Sequence, residues 1–336
     1  LTDVTGVQTC ALPILLSDQY KLVNLSSTRN LIRRKKPGEA TSGMVLGGIN
    51  YNSSSGGNTD SGRNPGEDLP PSAPGINSSS GEAGTLFQTG PGTKSNASAG
   101  EKGYEADLRS LRGSAWDFLP GTQEEATRVS RLLGNHQLPV TLLMGSDATE
   151  ERFKALGGAS PALIHLASHG FSLPPPDRES SSGEHIRPTA QEVIATAGIP
   201  LMRSGLLLAG ANQAWAGGSR SPGREDGILT AWEISHLDLS ATELAVLSAC
   251  QTGLGEIRGN EGVYGLQRAL FMAGAQSMVV SLWEVPDLET MELMDHFYTH
   301  LVRGSNPETA FLNAQNELKE LYRDQPSLWA GFVFIR

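Results

Sequence analysis

The chain has 336 residues and a formal net charge of −10, with 36 acidic and 26 basic side chains. This length accommodates one large α/β domain or two modest ones. The acidic balance argues against general nucleic-acid binding, which requires a basic face. No apolar run approaches the ~20 residues that a membrane-spanning helix needs. We therefore expect neither nucleic acid nor a membrane among the partners.

The two cysteines, Cys10 and Cys250, are too few for a disulfide framework and fit a reducing compartment. No secretion signal is visible at the amino terminus, so we expect a cytoplasmic protein. Residues 4–14 look like the translation of a common sequencing-adapter oligonucleotide. We interpret residues 1–14 as an artefact that replaces genuine upstream sequence, which leaves Cys250 as the only genuine cysteine.

The next hundred residues change sharply in composition. Apolar runs predict strands over 20–25 and 44–49. Residues 52–103 are mostly Gly, Ser, Asn and Pro, which cannot bury enough apolar surface to offset the entropy of ordering. We interpret 52–103 as a disordered insertion in a single domain over 15–336, and a plain surface loop is favoured over a regulatory linker.

Helix and strand signals then alternate. Thr122 and Glu125 have capping-box spacing at the start of a predicted helix, and Asp147 and Glu150 repeat the signal before a shorter one. Further strands are predicted over 138–144, 162–168, 204–209, 244–249, 277–283 and 329–335, and further helices near 262–273, 291–301 and 311–321. This alternation predicts an α/β fold with a mostly parallel sheet and helices on both faces.

Two of these strands end in reactive side chains. Cys250 follows the run 244–249, and His169 follows the run 162–168. The carboxyl ends of parallel strands are where α/β sheets place their chemistry. A thiol attacks as the thiolate, and an imidazole can take its proton and later protonate a leaving amine. Cys250 and His169 are therefore predicted to be a nucleophile and its base, with the amides of Gly170 and Cys250 as oxyanion donors.

Plainer interpretations stay open for the same residues. Taken alone, Cys250 is explained as a buried core cysteine and His169 as a surface histidine. His165 has a spacing from His169 that a metal could use, but no third ligand accompanies the pair. We interpret His165 as a buried, hydrogen-bonded histidine and predict no metal and no organic cofactor. Trp232 and Trp283 are predicted to be core or pocket wall.

Eight segments carry a family resemblance. In chain order they are LPGTQEEA (119–126), VTLLMGSDATE (140–150), LIHLASHGF (163–171), LLLAGAN (206–212), DGILTAWEI (226–234), LSACQTGLG (247–255), GNEGVYGL (259–266) and SLWEVPD (281–287). Together they resemble the CHAT family, caspase-like domains that are related to separase and are often fused to tetratricopeptide repeats.

The resemblance implies a caspase-like three-layer α/β/α fold and a cysteine endopeptidase that acts on a protein or peptide substrate. The histidine of its Ser-His-Gly motif and the cysteine of its Ser-Ala-Cys motif form a dyad, which corresponds here to His169 and Cys250. Tetratricopeptide repeats upstream are the implied partner. The main rival is a latent or catalytically inactive module that uses the same fold to bind signalling partners. A serine hydrolase is disfavoured because the Gly-x-Ser-x-Gly elbow is missing.

The sequence gives less information about the substrate pocket. In the separase relatives, an acidic residue after the cysteine strand contributes to the pocket for the residue before the cut. Glu284 and Asp287 are candidates by position, and Asp226 is a third. The plain alternatives are a helix cap for Asp287 and a turn for Asp226.

Overall fold

A computed structural model describes residues 41–52, 115–173, 194, 198–218, 223–248, 256–257, 263–283 and 285–336, with only the backbone described at 256–257 and 263–264. All of these residues belong to one compact unit. The predicted artefact at 1–14, the predicted strand at 20–25 and all but the first residue of the predicted insertion at 52–103 lie outside the described residues.

The strands form one large and two small sheets. They are β1 (Gly43–Ile49), β2 (Val140–Gly145), β3 (Leu163–Ala167), β4 (Gly170–Ser172), β5 (Ser204–Leu207), β6 (Ile228–Thr230), β7 (Leu244–Ser248), β8 (Glu256–Ile257), β9 (Val263–Tyr264), β10 (Met278–Ser281) and β11 (Phe332–Ile335). The central sheet has the order β11-β10-β7-β3-β1-β2, and β4-β5-β6 and β8-β9 form the small sheets. Every pair in the central sheet is parallel except β10 with β11, which confirms the predicted mostly parallel sheet.

The described helices are α1 (Pro120–Asn135), α2 (Glu150–Lys154), α3 (Ala211–Trp215), α4 (Ala231–Ile234), α5 (Leu266–Ala273), α6 (Asp287–Val302), α7 (Pro307–Leu321) and α8 (Pro326–Trp329), with a short 3-10 helix at Pro200–Arg203. Both faces of the central sheet are covered. Val45 and Val246 join the core formed with α1, α6 and α7. Leu46 and Leu247 point to the opposite face, because side chains alternate along a strand, and they are equally buried.

Helix α1 begins in a way that the sequence pattern did not predict. Its N-cap is Leu119, which makes no side-chain cap, and a proline occupies the first turn, where its fixed φ favours a helix start. Thr122 instead accepts a hydrogen bond from the backbone N–H of Gly48 at 3.1 Å and donates one to the Leu119 carbonyl at 2.8 Å. The helix was predicted correctly, but the capping box of Thr122 and Glu125 was wrong because both side chains serve tertiary contacts.

Other elements also differ from their predicted form. Helix α2 is capped by Thr149, whose hydroxyl accepts from the N–H of Arg152 at 3.3 Å, rather than by Asp147. The predicted strand at 204–209 is β5, which belongs to the small antiparallel sheet.

No helix in the described part of the chain is long and apolar enough to cross a membrane.

Candidate active site

The strand that carries His169 and the strand that leads to Cys250 are neighbours. β3 and β7 pair in parallel, with Ala167 opposite Ser248 at their last residues. His169 and Cys250 each stand two residues beyond that pair in the sequence. Because adjacent strands lie about 4.8 Å apart, the last residues of β3 and β7 lie side by side at the carboxyl ends of the two strands. Cys250 itself lies outside the described residues.

The His169 ring is held by a backbone carbonyl. Its Nε2 lies 2.9 Å from the carbonyl oxygen of Asp117. A carbonyl oxygen accepts hydrogen bonds and cannot donate them, so Nε2 carries the hydrogen. In the neutral ring Nδ1 then has the lone pair, and among the described residues nothing hydrogen-bonds to it. Nδ1 is therefore the atom of His169 that can take a proton.

Aromatic rings enclose the imidazole. The ring centroid of Trp116 lies 4.9 Å from that of His169, and the centroid of Tyr51 lies 5.1 Å from it. Trp116 packs in turn against Trp215 of α3 at 5.4 Å. Burial lowers the pKa of His169, because desolvation disfavours the charged imidazolium, and the hydrogen bond to the Asp117 carbonyl and the charge of Asp117 partly offset this shift. A neutral imidazole at neutral pH is the form that acts as a base.

Tyr51 also fixes the backbone that leads to the histidine. Its hydroxyl accepts a hydrogen bond from the N–H of His169 at 3.2 Å and lies 3.3 Å from Oγ of Ser168. Ser168 donates to the carbonyl of Leu207 on β5. Burial raises the pKa of Tyr51, so the hydroxyl keeps its proton. The residue before His169 is thereby tied both to the end of β1 and to the small sheet.

Asn212 of α3 holds the backbone of Trp116 through two hydrogen bonds. Its Oδ1 accepts from the N–H of Trp116 at 2.7 Å, and its Nδ2 donates to the Trp116 carbonyl at 2.9 Å and to Oδ1 of Asn52 at 2.7 Å. Its own N–H donates to the carbonyl of Tyr51 at 3.0 Å. One buried amide thus joins the two segments whose aromatic rings enclose His169.

Gly170 is not simply the end of a strand, as the sequence interpretation assumed. It opens β4 and lies opposite Leu206 of β5. The N–H of Leu207 donates to the His169 carbonyl at 3.0 Å, and that of Leu173 to the Arg203 carbonyl at 2.7 Å. Bonded pairs alternate in an antiparallel ladder, so the Gly170 amide falls on the edge of β4 that faces away from β5. That position is compatible with an oxyanion donor.

Asp226 forms a turn, as the plainer interpretation had it. Its Oδ1 accepts from the N–H of Ile228 at 2.9 Å. Between them Gly227 has a φ of +79° and no room for a Cβ, which would lie 2.7 Å from the Ala211 nitrogen. The N–H of Gly227 donates to Oε2 of Glu150 at 2.9 Å. The hydrogen bond from Ile228 places the Asp226 carboxylate in the turn before β6.

An acidic cluster surrounds Lys154 beside that turn. Its Nζ lies 2.6 Å from Oε1 of Glu150, 2.8 Å from Oε1 of Glu233 and 3.2 Å from Oε1 of Glu225. Burial raises the pKa of Glu150 to about 7; Lys154 opposes this shift, and the charges of Asp226 and Glu233 add to it. The cluster ties α2, α4 and the segment between α3 and β6 together.

Asp287 is the first residue of α6, and its N-cap is Pro286, which makes no side-chain cap. The Asp287 carboxylate instead fills the space beside Gly121 in the first turn of α1, where a Cβ would lie 2.2 Å from Oδ2. Asp287 is exposed and lies beside Gly121. Glu284, the other pocket candidate after the cysteine strand, lies outside the described residues.

The remaining sequence candidates have structural positions. His165 is fully buried, and its Nδ1 lies 2.9 Å from the hydroxyl of Tyr298, as predicted. Trp232 and Trp283 are 38% and 37% exposed, so neither is a core residue. Among the described residues, no group of three or more His, Cys, Asp or Glu side chains is arranged to hold a metal ion.

Sequence reasoning missed Tyr51, Asn212 and the carbonyl of Asp117. Tyr51 follows a predicted strand, and Asn212 ends the LLLAGAN segment, so each had a positional signal. The backbone carbonyl of Asp117 had no such signal, since every residue carries a carbonyl group.

Two solved structures are similar to part of the chain. "Crystal structure of the Arg specific cysteine proteinase gingipain R (RGPB)" has 10% identity and a TM-score of 0.40, and the match covers 64% of this chain and 41% of that one. "Complex of Porphyromonas gingivalis RgpB pro- and mature domains" has 11% identity and a TM-score of 0.39, with 64% and 42% covered. Likenesses this weak carry no argument about function.

The sequence comparisons are more decisive. Tetratricopeptide repeat protein 28 of Mus musculus is 30% identical over 242 residues, and the Homo sapiens protein of that name is 31% identical over 235. Each match covers 66% of this chain but only 9% and 8% of the relatives, so the chain spans less than a tenth of their length. A family model described as "CHAT domain" matches residues 14–336. The chain therefore belongs to the CHAT domain family.

Proposed function

We propose that the protein is a cysteine endopeptidase in which Cys250 is the nucleophile and His169 the base. The observation that carries the proposal is the state of His169, whose Nε2 is tied to the Asp117 carbonyl while Nδ1 keeps a lone pair. The adjacent parallel strands β3 and β7, with Ala167 opposite Ser248, support a shared edge for both groups.

In this mechanism Nδ1 of His169 takes the proton of the Cys250 thiol as the sulfur attacks the scissile carbonyl carbon. The carbonyl oxygen gains the negative charge, and the amides of Gly170 and Cys250 donate to it. The tetrahedral intermediate collapses, the carbon–nitrogen bond breaks, and Nδ1 gives its proton to the leaving amine. Water, deprotonated by the same nitrogen, then hydrolyses the thioester and regenerates the thiol.

The lowered pKa of His169 favours general-base catalysis over a resting thiolate–imidazolium pair. A neutral ring is ready to accept a proton at pH 7, whereas an imidazolium among apolar rings is disfavoured by burial. Rate enhancement through such a base is typically about 10²- to 10⁴-fold, and the oxyanion donors add to it.

Substrate selection is proposed to involve the exposed carboxylate of Asp287, which lies beside the first turn of α1. Glu284 remains a candidate for the same pocket by sequence position. Asp226 is a weaker candidate because its carboxylate caps a turn. We also propose that tetratricopeptide repeats, which give the curated relatives their name, deliver protein substrates to this domain, and that it works in the cytoplasm, where a free thiol persists.

The test is cleavage of a proteome-derived peptide library by the wild type, Cys250→Ala and His169→Gln, all with Cys10→Ser. We expect cleavage by the wild type only, and labelling of Cys250 by a peptide acyloxymethyl ketone that is lost in His169→Gln. Cleavage by Cys250→Ala equal to that of the wild type contradicts the proposal. Labelling no faster than that of free cysteine favours the rival module that only binds partners.

A further inference from the structure

A buried polar network lies beneath the ends of β3 and β7. Oγ of Ser248 donates to Oε2 of Glu125 at 2.9 Å, and Oε1 of Glu125 lies 3.3 Å from Nε2 of His165. Nδ1 of His165 lies 2.9 Å from the hydroxyl of Tyr298 on α6. Glu125 is 3% exposed, Ser248 7%, and the other two are fully buried, so the network lies inside the protein.

Burying these polar side chains in the core costs free energy. A buried carboxylate costs several kcal/mol unless it is paired and hydrogen-bonded, and a well-packed apolar set of the same volume is often as stable or more so. Burial, and then the charge of Glu125, raise the pKa of Tyr298 well above its ordinary value, so the tyrosine stays a hydroxyl that can donate to His165. Stability alone therefore gives little reason to bury Glu125.

Its placement gives a better reason. Ser248 is the last residue of β7 and precedes Cys250 by two residues. The helix that carries Glu125 begins at Pro120, three residues after Asp117, whose carbonyl holds the His169 ring. The residues just before α1 thus contact His169 directly, and α1 itself contacts the last residue of β7 through one carboxylate.

We propose that Glu125 and Ser248 are positioning residues that fix the end of β7 relative to α1, and so align the Cys250 thiol with Nδ1 of His169. The inference rests on the proposed function in naming the thiol as the aligned group. Misplacement by about 1 Å can cost up to about 10²-fold in rate, so one hydrogen bond at the end of the strand can have a large effect on reactivity.

The test compares two serine variants in a Cys10→Ser background, which leaves Cys250 as the single thiol. Ser248→Ala removes the bond to Glu125. The matched control is Ser277→Ala, because Ser277 is also buried (8% exposed) and donates to the Glu243 carbonyl at 2.6 Å, but it immediately precedes β10, at the amino ends of the parallel strands. The readouts are the rate of Cys250 alkylation by iodoacetamide from pH 5 to 10 and the midpoint of urea unfolding.

We expect both variants to lose stability, and Ser248→Ala to lose more, because its partner is a buried carboxylate and that of Ser277 is a backbone carbonyl. Only Ser248→Ala should lower the alkylation rate at pH 7, by about tenfold, which is within the range for misplaced groups, and move its pH profile upward. Ser248→Thr keeps the hydroxyl and should restore at least half of the wild-type rate. Equal profiles for Ser248→Ala and Ser277→Ala overturn the inference, as does a Ser248→Thr that is as slow as Ser248→Ala.

Alkylation needs no peptide substrate, so this result is separable from the peptidase test. If His169→Gln leaves the alkylation profile at that of the wild type, the proposed dyad fails. If His169→Gln shifts the profile and Ser248→Ala does not, the dyad stands and the positioning role of the network is wrong.

Discussion

His169 and Glu150 are both titratable groups with a shifted pKa, His169 after β3 and Glu150 as the first residue of α2, yet their surroundings differ. The His169 ring packs against two aromatic rings, and its hydrogen-bond partner among the described residues is one backbone carbonyl. Glu150 lies in a cluster with a lysine and further carboxylates. Burial favours the neutral form of each group. It therefore lowers the pKa of the His169 imidazole and raises the pKa of the Glu150 carboxyl.

The difference teaches what each environment is suited to do. Around His169, apolar rings and a carbonyl leave one nitrogen available for proton transfer. Around Glu150, the ammonium group of Lys154 binds several carboxylates at once and joins three chain segments, which is a structural role. A shifted pKa alone therefore does not distinguish a proposed base from a structural group; the difference here is that Nδ1 of His169 has no hydrogen-bond partner among the described residues.

The largest expected effect is on the structural cluster. Lys154→Met leaves Glu150, Glu225 and Glu233 without their shared cation, and uncompensated buried charge costs about 3 kcal/mol or more. Urea unfolding at pH 7.5 should show this loss, and adding Glu150→Gln to the same chain should recover part of it. A loss below about 0.5 kcal/mol, the size of an exposed pair, contradicts a structural role for Lys154.

Asn212→Ala should come next. It removes the hydrogen bonds that hold Trp116 and Asn52, and leaving such groups unsatisfied costs about 2 kcal/mol. We also expect slower labelling of Cys250, because the ring that covers His169 loses its anchor. The control is Asn306→Ala, which removes the cap of α7 at a cost of about 1 kcal/mol. If the two variants label equally fast, Asn212 has no part in the site.

Glu150→Gln tests the pH dependence of stability. The raised pKa means that the folded state holds this proton more tightly than the unfolded state, so the contribution of Glu150 is full below its ordinary value of 4.5 and is lost as the pH rises to about 7. The variant cannot ionise there, so its unfolding free energy should fall less than that of the wild type across this window.

Glu151→Gln is the matched control on the same helix. Burial opposes the shift, but hydrogen bonds from the N–H of Glu225 and from its own N–H lower the pKa of Glu151. Its contribution therefore has the opposite sign: it is full above pH 4.5 and is lost as the pH falls below that value. Removing it should lower the unfolding free energy by a constant amount between pH 4.5 and 7 and leave the fall across that window as steep as in the wild type. A fall as shallow as that of Glu150→Gln would contradict the opposite signs of the two carboxyl groups.

The smallest expected change is a shift in the pKa of the His169 ring. NMR titration of the ring should give a pKa below the ordinary 6.5, because burial disfavours the charged form. Trp116→Ala should move that pKa upward, toward the ordinary value, by letting water reach the imidazole. The acid limb of the peptidase pH profile should shift in the same direction, and a wild-type value at or above 6.5 would remove the basis for a neutral resting base.

The sequence predicted most of the fold. The apolar runs at 44–49 and 244–249 are buried strands of the central sheet, since a segment that is apolar on both faces must lie inside a layered structure. It also predicted that His165 is buried and hydrogen-bonded. It failed at helix starts, where Thr122 and Glu125 look like a cap by spacing but contact β1 and β7.

By itself, the sequence determined the alternation of strands and helices, the strand-end positions of His169 and Cys250, and membership of the CHAT family, because these depend on local periodicity and on motifs. Only the tertiary structure decided that β3 and β7 are neighbours in equal register, that Asp117 and Tyr51 hold the histidine and its backbone, and that Glu125 connects α1 to both strands. Those contacts join residues up to 123 positions apart, and no local pattern records which distant group a buried side chain will meet.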